Sequence, residues 1–153
     1  MHEIFISYAN DDEQIARFVQ LHLSTEGVKA FLASTSVEPG EKWSNTVLAA
    51  LKQSRIVVFL ASAKACNSAY VQQELGIAIG DNKEVIPVIW NISPEQLPGW
   101  IQQLHTLDLR KANIAEAQAA IAAIATRLKE GKIMDLAKLV ALILAGVAIF
   151  GKR

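Results

Sequence analysis

The run Arg55 to Ala61 (RIVVFLA) constrains this chain most, because after its first residue it is apolar without a break. A strand with one wet face alternates polar and apolar residues, whereas a continuous apolar run belongs to a strand covered on both faces. Such strands occur in parallel sheets sandwiched between helical layers, so this segment is read as the central strand of an α/β sheet.

The remaining segments fit that frame. Glu3 to Tyr8 (EIFISY), Val28 to Leu32, Val85 to Trp90 and, more weakly, His105 to Leu109 read as further strands. Helical spacing falls between them. Asp11 and Asp12 open a helix whose broad face carries Ile15, Phe18, Val19, Leu21, His22 and Leu23, with Gly27 as its stop. Trp43 to Gln53, about Tyr70 to Ile79 behind the caps Asn67 and Ser68, and Asn113 to Glu130 read as the other helices. Alternating strands and helices imply right-handed crossovers and a doubly wound parallel sheet, with ligands held outside the carboxyl ends of the strands. That edge gathers Ser7, Tyr8, Ala33 and Ser62. Pro87 lacks an N–H, which places its strand near an edge or calls for a bulge. At 153 residues the chain divides into one domain, residues 1–130, and a tail, residues 131–153.

Composition removes several function classes. Fifteen Lys and Arg balance fifteen Asp and Glu, so no positive field gathers phosphate backbones, and nucleic acid is not expected as a partner. Cys66 stands alone, and MHEIFISYAN lacks the basic flank and apolar run of a secretory signal, which makes the domain an expected cytoplasmic one. His2, His22 and His105 share no metal-ligand spacing with one another or with Cys66, so no metal site is expected. Neither a G-x-G-x-x-G nor a P-loop is present, and no serine stands in a G-x-S-x-G elbow. The central strand ends FLASA, without the aspartate that a phospho-receiver would need there.

Two features remain. Ala33 to Trp43 (ASTSVEPGEKW) is long for a strand-to-helix connection and rich in turn formers, and loops of that kind are disproportionately functional. Tyr70 and Glu74 stand four residues apart, on one face of the helix after the central strand. A carboxylate beside a pocket can hold ribose hydroxyls and stabilise the cation formed when a glycosidic bond breaks, while a ring can stack on the leaving base. On spacing alone the plainer reading outweighs this one, with Glu74 solvated and Tyr70 a half-buried anchor.

EIFISYANDD at the start, VEPGEKW in the loop, SRIVVFLAS in the central strand and NSAYVQQELGIAI after it together resemble a TIR domain, the Toll/interleukin-1 receptor module, over about residues 3–110. The resemblance implies a flavodoxin-like fold with five parallel strands in the order 2-1-3-4-5, and makes Ala33 to Trp43 the BB loop through which such domains self-assemble. Many members of the family cleave NAD, as substrate rather than cofactor, through a glutamate in the position of Glu74. The family pattern there is Ser-x-Trp-x-x-x-Glu, and this chain has Ser68, Tyr70 and Glu74, with tyrosine in place of tryptophan. By the same likeness Ser7, Tyr8, Phe31 and Trp43 line the nucleotide pocket, although Phe31 and Trp43 fit a core role equally well. The implied activity is that of an NAD glycohydrolase or ADP-ribosyl cyclase, switched on by homo-oligomerisation, in antiphage or innate immune defence. The competing readings are a non-catalytic adaptor that binds other TIR domains, and a nucleoside deoxyribosyltransferase-like enzyme on a related fold.

The tail, Ile133 to Phe150 (IMDLAKLVALILAGVAIF), is apolar all round after Lys138, but a helix of that length reaches only ~27 Å. Ala137, Ala141 and Ala145 recur at four-residue spacing beside Gly146, which lets helices approach closely. The tail is expected to attach the domain to the inner face of a membrane, to join copies in water, or to pack on its own domain.

Overall fold

In the computed structural model the described residues are 3–33 and 45–130. The strands are β1 (Ile4–Ser7), β2 (Ala30–Ala33), β3 (Ile56–Leu60), β4 (Glu84–Ile89) and β5 (Leu107–Asp108). The helices are α1 (Glu13–Thr25), α2 (Asn45–Gln53), α3 (Ala63–Cys66), α4 (Ala69–Gly80) and α5 (Ile114–Glu130). All strand pairs are parallel, in the order β2-β1-β3-β4-β5. This is the flavodoxin-like doubly wound sheet.

Every residue of β1 and β3 is buried, as the apolar residues of both strands require, and the polar Ser7 at the end of β1 is buried with them. Alternate residues of each strand point to opposite faces. Ile4, Ile6, Val58 and Leu60 pack under α1 and α5, whereas Phe5, Val57 and Phe59 pack under α2 and α4. Both faces of the sheet are therefore dry, and the only edge left to a ligand is the one where strands give way to loops.

Element ends differ from the sequence reading by a residue or two, for local reasons. Asn10–Asp12 form a 3₁₀ turn, and α1 proper begins at Glu13. Gly27, at φ +79°, closes α1: its N–H donates to the Ser24 carbonyl and that of Val28 to the Leu23 carbonyl. Val28 is thereby committed to the helix stop, so β2 starts at Ala30 rather than Val28. Ser68 caps α4 by accepting from the Val71 N–H at 3.2 Å. Ser62 does the same for α3, a single turn that periodicity did not announce, accepting from the Ala65 N–H at 3.2 Å. β5 shrinks to the two residues that pair with Val88 and Ile89.

Pro87 departs from expectation. It lies in an interior strand, between β3 and β5, in unbroken register opposite Phe59 and without a bulge. The Val88 carbonyl accepts from Ala61 on the β3 side and the Ile89 carbonyl accepts from Leu109 on the β5 side. By strand alternation Pro87 also faces the β5 side, where pairing begins only at Val88. No ladder hydrogen bond is lost there.

The tail and most of the Ala33 to Trp43 loop lie outside the described residues. Among the described residues no helix is long and apolar enough to cross a membrane.

α4 carries the candidate carboxylate and is held to the sheet by Val71, Leu75 and Ala78, all fully buried. Leu75→Ala is expected to cost about 2–5 kcal/mol of unfolding free energy, read from denaturant titration, through lost apolar burial and the cavity left behind.

Candidate functional site

Residues 71, 74, 75 and 78 make the i, i+3, i+4, i+7 stripe by which α4 faces the core, and the second of these is glutamate. Glu74 is 0% exposed. The solvated reading suggested by spacing is thus overturned: an i, i+4 pair fixes which face two residues share, but not how deep that face lies.

Below α4 the strand β1 ends in Ser7, which alternates with Ile6 and so points to the same face as Phe5. The Ser7 Oγ–H donates to Glu74 Oε2 at 2.8 Å, between two wholly buried side chains. Among the described residues Glu74 Oε1 has no hydrogen-bond partner. Burial pushes the Glu74 carboxyl from its ordinary 4.5 up to about 8, and the Ser7 hydrogen bond opposes that rise.

Two tyrosines sense this carboxylate. Tyr70, partly buried one turn before Glu74, is raised by burial and then by the Glu74 charge. Tyr8 packs in the cluster under α1 and α5, on the opposite face from Ser7. Burial raises its hydroxyl most, followed by the Glu13 charge, while Arg17 opposes the rise and Glu74 adds to it. Phe31, partly exposed on β2, stacks on Phe5 with ring centroids 5.6 Å apart, on the same face as Ser7. Trp43 lies outside the described residues. The structure therefore gathers Ser7, Glu74 and Tyr70 directly, with Tyr8 approaching from the other side of the sheet edge and Phe31 engaged in packing.

A second polar group escaped the sequence reading. Ser62 Oγ donates to Asp12 Oδ2 at 2.5 Å, and Lys64 pairs with Asp11. These contacts clasp the turn after β1 to the turn after β3, the two loops that frame the edge where Ser7 ends. Asp11 and Asp12 looked only like helix openers, and Ser62, although placed at the carboxyl edge, had no partner assigned to it. Sequence separation of some fifty residues hides such a pairing.

Two cavities accompany the site. One of about 330 Å³ lies at the same carboxyl edge, between α3 and the turn after β4, and is lined by Ala63, Cys66, Asn67, Gln96 and Pro98. The other, about 260 Å³, lies between α1, α5 and the sheet and is lined almost wholly by apolar side chains, including Phe18, Val58 and Ile121. It has no group able to move a proton and sits across the sheet from Ser7 and Glu74. Among the described residues no three His, Cys, Asp or Glu side chains are grouped to hold a metal ion.

The TIR domain family model matches residues 4–125. A "Probable 2' cyclic ADP-D-ribose synthase BdTIR" from Brachypodium distachyon is 28% identical over 98 residues, which are 63% of this chain and 44% of that protein. The chain thus spans less than half the length of that relative. Among solved structures, the TIR domain of the Toll-related receptor TRR-2 from Hydra magnipapillata superimposes with a TM-score of 0.61 at 17% identity, covering 79% of this chain and 98% of the other. A metazoan TIR-STING receptor from C. gigas also gives 0.61, at 22% identity, covering 82% of this chain and 40% of that one. The TIR domains of the activated Roq1 resistosome, which recognises the pathogen effector XopQ, give 0.54 at 16% identity over 96% of this chain and 99% of theirs. At these identities the structural likeness speaks for the fold.

A carboxyl whose folded pKa lies above its unfolded value holds its proton longer in the native state. The stabilisation is complete below about pH 4.5 and is lost as pH rises to about 8. Comparing wild type with Glu74→Gln by denaturant unfolding at pH 5 and pH 8.5 is expected to show that the substitution removes a fall on the order of a few kcal/mol. Parallel pH dependences in the two proteins would contradict the buried-acid description.

Proposed function

This chain belongs to the TIR domain family, and from that premise we propose that it cleaves the bond between nicotinamide and ribose in NAD, with Glu74 as the catalytic carboxylate. The observation that carries the reading is a carboxylate sealed at the carboxyl edge of the sheet, with one oxygen held by Ser7 and the other without a partner. A carboxylate kept dry at the cost of its own ionisation is a mark of chemistry rather than of packing. The likeness to the Brachypodium relative, a probable 2' cyclic ADP-D-ribose synthase, supports the same substrate.

The chemistry follows from the charges. When the ribosyl C1′–N bond breaks, its electron pair neutralises the pyridinium and nicotinamide leaves uncharged, so no acid is needed to assist departure. What needs help is the oxocarbenium left on the ribose, and an anionic oxygen beside it lowers the barrier. Water then adds at C1′ and releases a proton, giving ADP-ribose, or a hydroxyl of the same ADP-ribosyl cation adds instead, releases its proton and closes a ring. Burial alone leaves Glu74 largely protonated at neutral pH. A cationic substrate within about 4–6 Å favours the charged form by 1–3 pKa units, so NAD itself would help to ionise the group that acts on it.

Complete burial also means that a single chain in this conformation offers no carboxylate surface to a nucleotide. We therefore read the enzyme as inactive when dispersed and active when copies assemble, in an immune or antiphage setting. Tyr70, and with it Tyr8, Phe31 and Trp43, would form the walls that hold the nicotinamide and ribose, with Ser7 behind the carboxylate.

Incubating the full chain with NAD across a range of protein concentrations is expected to release nicotinamide, detected chromatographically, with specific activity rising steeply with concentration. Glu74→Ala should lose at least about 100-fold of that rate while still unfolding cooperatively. Undiminished turnover in the variant removes Glu74 from the reaction. No loss of NAD at any concentration, together with capture of other TIR domains, would instead identify an adaptor.

A further inference from the structure

We propose that Ser7 is the positioning residue for Glu74: its hydroxyl, donated to Oε2, fixes the carboxylate in one orientation and leaves Oε1 as the oxygen directed at the substrate. This rests on the NAD-cleaving reading and adds to it the group that aims the carboxylate.

The argument begins with what holds Glu74. A glutamate side chain has three rotatable bonds, and the terminal one is broad, so packing by itself orients the carboxylate plane poorly. Among the described residues the only hydrogen bond to that carboxylate is the 2.8 Å one from Ser7 Oγ. When Glu74 is ionised it can only accept, so the proton on this bond must come from serine. The donor is rigid. Ser7 is paired in register with Ala33 on one side and Phe59 on the other, at 0% exposure, and its short side chain has a single rotor. One fixed donor and one bare acceptor oxygen on the same carboxylate amount to an aimed group.

The bond also acts on charge. Burial works against the ionised form that catalysis requires, and the Ser7 hydroxyl works for it. Among the described residues no cation shares that task. The titratable groups that feel the Glu74 charge are Tyr8, at the end of β1, and Tyr70, on α4 itself, and both are raised, so neither supplies positive charge. Lys64 on α3 is exposed and engaged with Asp11. Lys83, just before β4, is bonded to the carbonyls of Lys52 and Ser54, and Glu84 pairs with the first residue of β3; all lie at the opposite edge of the sheet.

A purely structural serine, filling a small space at the end of a strand, would leave these properties untouched on replacement by alanine, which is nearly the same size. Two readouts separate the roles. The first needs no catalysis: the Glu74 side-chain carboxyl is followed by carbon-13 NMR across pH in wild type and in Ser7→Ala, with its resonance identified by its absence in Glu74→Gln. Losing the donor is expected to raise the titration midpoint by about one pH unit, and Ser7→Thr, which keeps the hydroxyl on a strand-compatible side chain, is expected to restore it. The second is kinetic. Ser7→Ala should lower kcat for nicotinamide release at pH 7 by about 10- to 100-fold, leave KM for NAD within about twofold, and shift the acidic limb of the pH profile upward with the midpoint.

An unmoved midpoint overturns the proposal, and so does a change in KM with kcat intact, which would make Ser7 a substrate contact instead. If wild type releases no nicotinamide, the proposed function falls, while the titration still decides whether Ser7 governs Glu74.

Discussion

A carboxyl group inside a dry core must keep its proton or find a charge partner, and Glu74 has been given a single neutral hydroxyl. That compromise leaves it between states. It is stabilised enough to be built into the central stripe of α4, and too little to be a settled anion near neutral pH. The rest of the architecture serves to maintain it there. β1 presents Ser7 from a position fixed on both sides by parallel pairing, and α4 is clamped to the sheet by Val71, Leu75 and Ala78 around the acid. The turns that frame the edge are tied to each other by Asp12 and Ser62.

The other buried acid makes the contrast plain. Glu116 is also nearly inaccessible, yet it belongs to a reciprocal cap at the start of α5: the Asn113 carboxamide oxygen accepts from the Glu116 N–H at 2.8 Å, and a Glu116 oxygen accepts from the Asn113 N–H at 3.3 Å. Its location follows from what a helix start requires. Nothing in the helical geometry of α4 asks for a glutamate at position 74, since Ser68 already caps that helix and the position lies in its interior. Of the two acids, one has a local structural reason for its place and the other has none in its own helix.

Much of the frame was legible from pattern alone, because parallel strands covered on both faces cannot avoid being continuous apolar runs; β1 and β3 were recognisable on that ground, and the strand order came with the TIR likeness. Features set by three-dimensional economy were not. The single turn α3 has no period to detect, and β5 is as short as its two pairing partners allow. The hidden quantity that mattered most was depth. Spacing placed Tyr70 and Glu74 on a shared face, with Tyr70 half-buried as observed, but left Glu74 in water, although the apolar residues 71, 75 and 78 beside it carried the contrary signal. Period-two alternation likewise separates Ser7 from Tyr8 across the sheet, and only the end of the strand lets a single pocket reach both.

Pro87 bears on how a protein of this kind can associate at all. Along the first half of β4 no strand pairs on the outer side, and a backbone left in that condition is an invitation to intermolecular strand addition and, from there, to runaway aggregation. A proline facing outward withholds one of the donors such an intruder would need. If the domain works through self-association, as proposed above, closing the sheet's flank to indiscriminate recruitment leaves contacts between neighbours to surfaces that can encode a stoichiometry and be undone.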